Sequence, residues 1–238
     1  MVAADTRQTK HVTSTPSPYF TRRAALGLGA SALALAACGG SDAVVNDESP
    51  ATDAAEDSAA AAEPQGLQQN GPITVTGDLL DPFDSSIDDL SIGVVAPLVA
   101  GESFDGSAIT LGGPTEKPTF IVFLAHWCSH CNDEVPVLIG LENYGRMPAN
   151  LDVIGVSTSV AADRDNFPPS DWIADKGWPW PTIADSEELG AINAMGGTSF
   201  PFVVVLDTDG TVLARRSGGR TADVTLEFLE AALATANA

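Results

Sequence analysis

Cysteine is scarce in this sequence: three residues among 238, at positions 38, 128 and 131. One isolated cysteine and one close pair exclude a disulfide framework as the source of stability. Cations are scarce as well, with 11 Lys and Arg against 32 Asp and Glu and a formal net charge of −21. That balance excludes a basic face for nucleic acid and repels anionic lipid headgroups, so membrane contact must come from something other than charge. Histidine occurs only at positions 11, 126 and 130, and neither Cys nor His follows Cys131. No internal repeat is present.

The N-terminal part carries an address. Thr21-Arg22-Arg23 precedes an uncharged run, Ala24 to Ala37, rich in Ala, Leu and Gly. A basic segment followed by an apolar run too short to span a bilayer comfortably has the layout of a signal peptide. The run ends in Leu35-Ala36-Ala37-Cys38-Gly39, which resembles the bacterial lipobox, and the paired arginines resemble the twin-arginine export signal. Residues 1–37 are therefore expected to be removed, leaving Cys38 to receive lipid and hold the chain on the outer face of the cell membrane. The alternative is an uncleaved anchor helix with Cys38 as a bystander, which leaves the domain in the same place. Loss of residues 1–37 takes away Arg7, Lys10, Arg22 and Arg23 but only Asp5 on the acidic side, so the mature protein is more acidic still. Residues 38–72 consist mainly of Ala, Asp, Glu, Ser, Gln and Gly, too poor in large apolar side chains to offset chain entropy, and read as a flexible acidic tether.

Residues 73–238 leave room for one domain of about 160 residues. Short extended segments are expected at Ile73 to Thr76, Ile92 to Val99 and Ile109 to Leu111, with a turn at Phe104-Asp105-Gly106. Thr119 to Ala125 is almost wholly apolar, as a strand buried on both faces must be. A helix from about Ser129 to Tyr144, interrupted by Pro136, follows. Then come a strand Leu151 to Ser157, a helix around Asp163 to Lys176, a strand Phe202 to Asp207, a turn at Asp209-Gly210, a return strand Thr211 to Arg215 and an amphipathic helix Ala222 to Ala234.

The order β-α-β-α-β-β-α is that of a thioredoxin-like domain: an α/β fold with a central mixed sheet flanked by helices, here with an N-terminal β extension. Trp127-Cys128-Ser129-His130-Cys131, with Glu134 and Pro136 after it, resembles the W-C-x-x-C-x-x-E-x-P pattern of membrane-tethered proteins of the TlpA/ResA type. Ala96-Pro97, Phe104-Asp105-Gly106 and Lys117-Pro118 lie where that family approaches its active strand, and Ser199-Phe200-Pro201-Phe202-Val203 resembles its cis-proline segment. The resemblance spans Ile92 to the C-terminus. It implies thiol–disulfide exchange with cysteine pairs of other exported proteins, with cytochrome maturation as the family's example, and a membrane redox partner that regenerates the pair. It also implies that Phe200 and Pro201 bind substrate and that Glu134 handles protons or modulates the thiols.

A cysteine on the first turn of a helix faces unpaired backbone N–H groups and the positive end of the helix dipole, which favours the thiolate that attacks disulfides. Cys128 is therefore the expected nucleophile and Cys131, one turn on, the resolving thiol. Half a zinc site is the competing reading, but two further ligands are lacking. No metal is expected, and no cofactor beyond a redox-active Cys128–Cys131 disulfide. His130 can stabilise the thiolate and raise the potential above that of thioredoxin, as in DsbA-like oxidants, or simply face solvent. Trp127 can shape the surface beside Cys128 or simply pack. Two rival functions share the fold: a peroxidase, whose Pro-x-x-x-Thr/Ser-x-x-Cys setting is missing upstream of Cys128, and a binding lipoprotein with idle cysteines.

Overall fold

The structure, a computed structural model, describes residues 66–236. The export segment, Cys38 and most of the tether lie outside the described residues. Three N-terminal strands, β1 (Thr74–Thr76), β2 (Leu98–Glu102) and β3 (Ala108–Leu111), form an antiparallel sheet in the order β1-β2-β3. The second sheet has five strands in the order β6-β5-β4-β7-β8. Its members are β4 (Thr119–Leu124), β5 (Asp152–Ser157), β6 (Thr182–Ala184), β7 (Phe202–Leu206) and β8 (Val212–Ser217). β4 runs parallel to β5 and antiparallel to β7, so the sheet is mixed. Four helices complete the domain: α1 (Ser129–Asn143), α2 (Pro169–Lys176), α3 (Gly190–Ala194) and α4 (Ala222–Ala236).

Every residue of β4 is buried. Alternation along the strand divides its side chains between two cores. Phe120, Val122 and Leu124 join Val135, Leu138 and Leu141 of α1 with Leu229, Ala232 and Leu233 of α4. Ile121 and Phe123 join Val99, Leu111, Ile183 and the α3 residues Ala191, Ile192 and Ala194. The central strand is thus clamped from both sides, and its C-terminal end is the point from which α1 departs.

Several expected boundaries shift. Helix α1 runs through Pro136 without a break. The ring removes one N–H and crowds the carbonyl four residues back, a cost of about 3 kcal/mol, which burial of Val135, Leu138 and Leu141 offsets. Helix α2 begins only at Pro169, because Asn166 sits at φ 63° and Pro168, itself followed by proline, is held extended at ψ 152°. Strand β6 and helix α3 are absent from the sequence-based order; three and five residues are too few to show a period. Residues 92–97 form no strand apart from a single bridge between Val95 and Thr211, and Pro97 supplies no N–H.

Residues 68–71, expected within the tether, are instead held on the domain. The Gln68 amide N–H bonds Phe104 O at 2.9 Å, the Gln69 side chain donates to Ser170 Oγ, Asn70 Nδ2 donates to Asp185 O, and Gly71 N–H bonds Ala184 O. Polar side chains dock this stretch on the domain through hydrogen bonds that composition does not reveal. Among the described residues no helix is long and apolar enough to cross a membrane.

Candidate active site

Strand β4 ends at Leu124, and the chain turns through Ala125, His126 and Trp127 before Cys128 caps α1 with extended backbone, φ −77° and ψ 122°. The first turn of α1 follows directly, so both cysteines sit where the sequence places them. Both are free thiols; Cys128 is half-buried and Cys131 is closed to solvent. Burial pushes the Cys131 thiol well above the ordinary thiol range, with Cys128 and Glu134 adding to the rise. The pair is therefore asymmetric: one sulfur at the surface, one held protonated beneath it.

The Phe200–Pro201 bond is cis, and Pro201 is buried at the head of β7. Cys128 Sγ lies 3.8 Å from Phe200 O. The expected motif and the proline segment, some seventy residues apart in sequence, therefore meet. Trp127 stands edge-on to Phe200, with ring centroids 5.9 Å apart and planes at 88°. Its Nε1 donates to Ser159 O at 2.8 Å, and the Arg164 guanidinium lies 4.9 Å from its ring centroid. Such a contact is worth about 0.5–1 kcal/mol at an exposed position.

Glu134 is one turn beyond Cys131, but it is not a solvated helix residue: it is 1% exposed. Its Oε1 accepts from Arg216 Nη2 at 3.2 Å and its Oε2 from the Arg220 backbone N–H at 2.7 Å. Burial raises its carboxyl, and the Arg220 amide with the Arg216 and Arg220 charges only partly offsets the rise. Arg216 in turn loses affinity for its proton through burial, against the pull of Glu134. His130 is exposed and lines a groove of about 400 Å³ with Glu134, Val137, Arg220 and Val224. An exposed ring acts on the sulfur only through a solvent-screened field.

Sequence reasoning did not single out Asn132. Its Nδ2 donates to His126 O at 3.1 Å and Cys128 O at 3.0 Å, while its Oδ1 accepts from Trp172 Nε1 at 2.9 Å. A donor-only indole and two carbonyls fix the amide orientation. Arg216 was missed as well, since a charged residue in a hairpin strand looks solvent-facing. Its signal lay in α1: buried positions 131, 134, 135, 138 and 141 form one stripe, which puts Glu134 inside and in need of a cation. His126 is fully buried, and both ring nitrogens are bonded within the protein. Among the described residues no group of three or more His, Cys, Asp or Glu side chains is arranged to hold a metal ion.

The chain is 27% identical over 170 residues to the thiol:disulfide interchange protein HelX of Rhodobacter capsulatus, an alignment covering 71% of this chain and 85% of that protein. The fold is similar to the crystal structure of a DsbF homologue from Corynebacterium diphtheriae, with a TM-score of 0.50 and 20% identity over 65% of this chain and 98% of the other. The Redoxin family model matches residues 93–233, which run from the N-terminal sheet through both cysteines and Pro201 into α4, and the chain belongs to the Redoxin family.

Proposed function

We propose that this thiol–disulfide oxidoreductase works outside the cytoplasm, held to the membrane by lipid on Cys38, and exchanges disulfides with exported proteins through Cys128 and Cys131. The observation that carries the reading is the meeting of a half-exposed Cys128 with the Phe200 carbonyl, above a buried Cys131. A nucleophile must reach its target, and a resolving thiol must be kept from competing with it.

In the reductive direction the Cys128 thiolate attacks one sulfur of the substrate disulfide. A mixed disulfide forms, and the second substrate sulfur leaves as a thiolate that takes up a proton. Cys131 then gives up its proton and attacks Cys128 Sγ, releasing the first substrate sulfur. Two electrons have passed to the substrate, which ends as a dithiol, and the Cys128–Cys131 disulfide remains. The oxidative direction is the same sequence reversed. Glu134, on the same buried stripe as Cys131, is the group we assign to the Cys131 proton. Phe200 and Pro201 line the place where the substrate segment lies, with Trp127 beside them. A membrane redox partner resets the couple, and no other cofactor takes part. His130 tunes the potential upward. Maturation of exported cytochromes, whose haem-binding cysteines must be kept reduced, is a fitting use.

The test is trapping with Cys131→Ser in the intact lipoprotein. Mixed disulfides joining Cys128 to exported proteins support the reading. No trapped protein, together with no turnover of insulin disulfides by the wild type, overturns it.

A further inference from the structure

The loop between β5 and α2 is anchored in an unusual way. Among the described residues, every hydrogen bond leaving 159–166 ends on His126 or Trp127. His126 Nδ1 donates to Asp165 O at 2.7 Å, and Ala161 N–H donates to His126 Nε2 at 3.2 Å. Asn166 Nδ2 donates to His126 O at 2.9 Å, and Trp127 Nε1 donates to Ser159 O at 2.8 Å. The bond to a carbonyl requires a proton on Nδ1, and the bond from an amide requires a bare Nε2. The two partners therefore select the tautomer that carries its proton on Nδ1. The ring donates along one edge and accepts along the other while filling a fully buried position.

What these bonds hold is linked to Cys128 through Trp127 and Phe200. The loop carries Arg164 over the Trp127 ring, and Trp127 packs on Phe200, whose carbonyl is the neighbour of Cys128 Sγ. The loop is otherwise weakly determined: residues 162–167 are exposed, and Ser159 and Asn166 lie in the left-handed region at φ 53° and 63°. Ser159 adopts that conformation at some cost, so the loop needs outside bonds to stay in place.

We propose that His126 is a positioning residue for the exchange reaction. It fixes the 159–166 loop as the wall beside Cys128 against which the partner polypeptide docks, and it acts through Trp127 rather than on sulfur. This rests on the assignment of Cys128 as the nucleophile.

The experiment compares His126→Leu, which fills the site without hydrogen bonds, with His126→Asn, which keeps a donor toward Asp165 O. Steady-state reduction of insulin is measured beside that of a small aromatic disulfide. In His126→Leu the KM for insulin rises by about 10-fold, the consequence of losing one or two hydrogen bonds that order the loop, while kcat moves by less than about 3-fold. The small disulfide is affected less, and His126→Asn recovers part of the KM. Trypsin cleavage after Arg164 in the folded protein quickens in His126→Leu, with Arg146 and Lys176 as internal controls. An unchanged insulin KM overturns the proposal, as does an equal loss with the small disulfide, or no change in cleavage after Arg164. A wild type that leaves insulin disulfides intact overturns the exchange reading itself, and the cleavage result then still decides whether His126 holds the loop.

Discussion

Arg216 and Glu134 form an ion pair between β8 and α1, with side chains 11% and 0% exposed and 3.2 Å between Nη2 and Oε1. The remaining guanidinium nitrogens, Nε and Nη1, are buried without hydrogen-bond partners, and Cζ lies 4.8 Å from the Phe228 ring centroid. Pairing there compensates two charges withdrawn from water, so removing one partner costs more than removing both. Arg216→Met is expected to lose about 3 kcal/mol in urea denaturation at neutral pH, whereas Arg216→Met with Glu134→Gln recovers most of it. A double variant less stable than both single ones would refute this account of the pair.

The same carboxylate gives a pH dependence with a definite sign. Burial holds Glu134 above its usual value of 4.5 in the folded state, so the native protein binds that proton more tightly than the unfolded chain. Its contribution to stability is complete below about pH 4.5 and is withdrawn as pH rises through the folded value. The stability of wild type relative to Glu134→Gln should therefore fall from acid toward neutral pH. Denaturation curves across that range check it; a difference that grows with pH would show the carboxylate to be stabilised rather than strained by its site.

Cys131 is the second buried titrating group beside the motif, and its thiol lies far above the ordinary value of 9.0 because it is desolvated. In the reduced protein, iodoacetamide at mildly alkaline pH should label Cys128 and spare Cys131. Cys128→Ser should be alkylated more slowly than Cys131→Ser by roughly 100-fold or more, since the thiolate is the reacting form. Mass spectrometry of the labelled peptide decides it, and comparable rates at the two positions would remove the asymmetry on which the order of attack rests.

Much of this was legible in the sequence because it is local. The unbroken apolar run of β4 leads straight into Cys128, the apolar segments at β5 and β7 read as buried strands, and an amphipathic pattern marked α4. What stayed hidden depends on partners distant in the chain. His126 reads as a bystander of the motif until Ala161 and Asp165 are seen to bond its ring. Gln68 to Gly71 share the tether's composition, and only their bonds to Phe104, Ser170, Asp185 and Ala184 distinguish them. Arg215 closes the expected return strand as an apparently exposed cation, yet it is 7% exposed and holds the segment preceding β2.

That arginine carries the next expectation. Its Nε donates to Asp89 at 2.8 Å and its Nη2 to the other Asp89 oxygen, while Nη1 reaches Asp81 O at 2.8 Å and Met195 O at 3.1 Å. Arg215→Met removes all of these and leaves Asp89 uncompensated, a loss of about 3 kcal/mol by chemical denaturation. Proteolysis within residues 77–95 should quicken ahead of global unfolding. Burial raises the Asp89 carboxyl, but Arg215 and the Ser91 amide outweigh it and leave it below its usual 3.8. This contribution is present above that pH and is lost on acidification, so the gap between wild type and Arg215→Met should narrow as pH falls. A gap constant down to pH 3 would place the stabilisation in packing rather than in charge.

Asn132 offers a sharper discrimination, because its two ends do different work. Nδ2 satisfies the His126 and Cys128 carbonyls at the head of α1, and Oδ1 satisfies the buried Trp172 indole. Asn132→Ala leaves the indole N–H without a partner, and an unsatisfied buried donor costs about 1–3 kcal/mol. Asn132→Asp keeps the acceptor for Trp172 but replaces the donor with a carboxylate oxygen facing two carbonyl oxygens. If the amide served only Trp172, Asn132→Asp would be the milder change. Because it also ties the turn that presents Cys128, Asn132→Asp should be at least as destabilising as Asn132→Ala at neutral pH. It should improve on acidification, when the protonated carboxyl can again donate, and this recovery should also appear in the rate at which Cys128 reacts with a protein disulfide relative to wild type at the same pH. Denaturation of both variants at pH 7 and pH 5 separates the cases, and an aspartate variant as stable as wild type at pH 7 would rule out the tie to the motif.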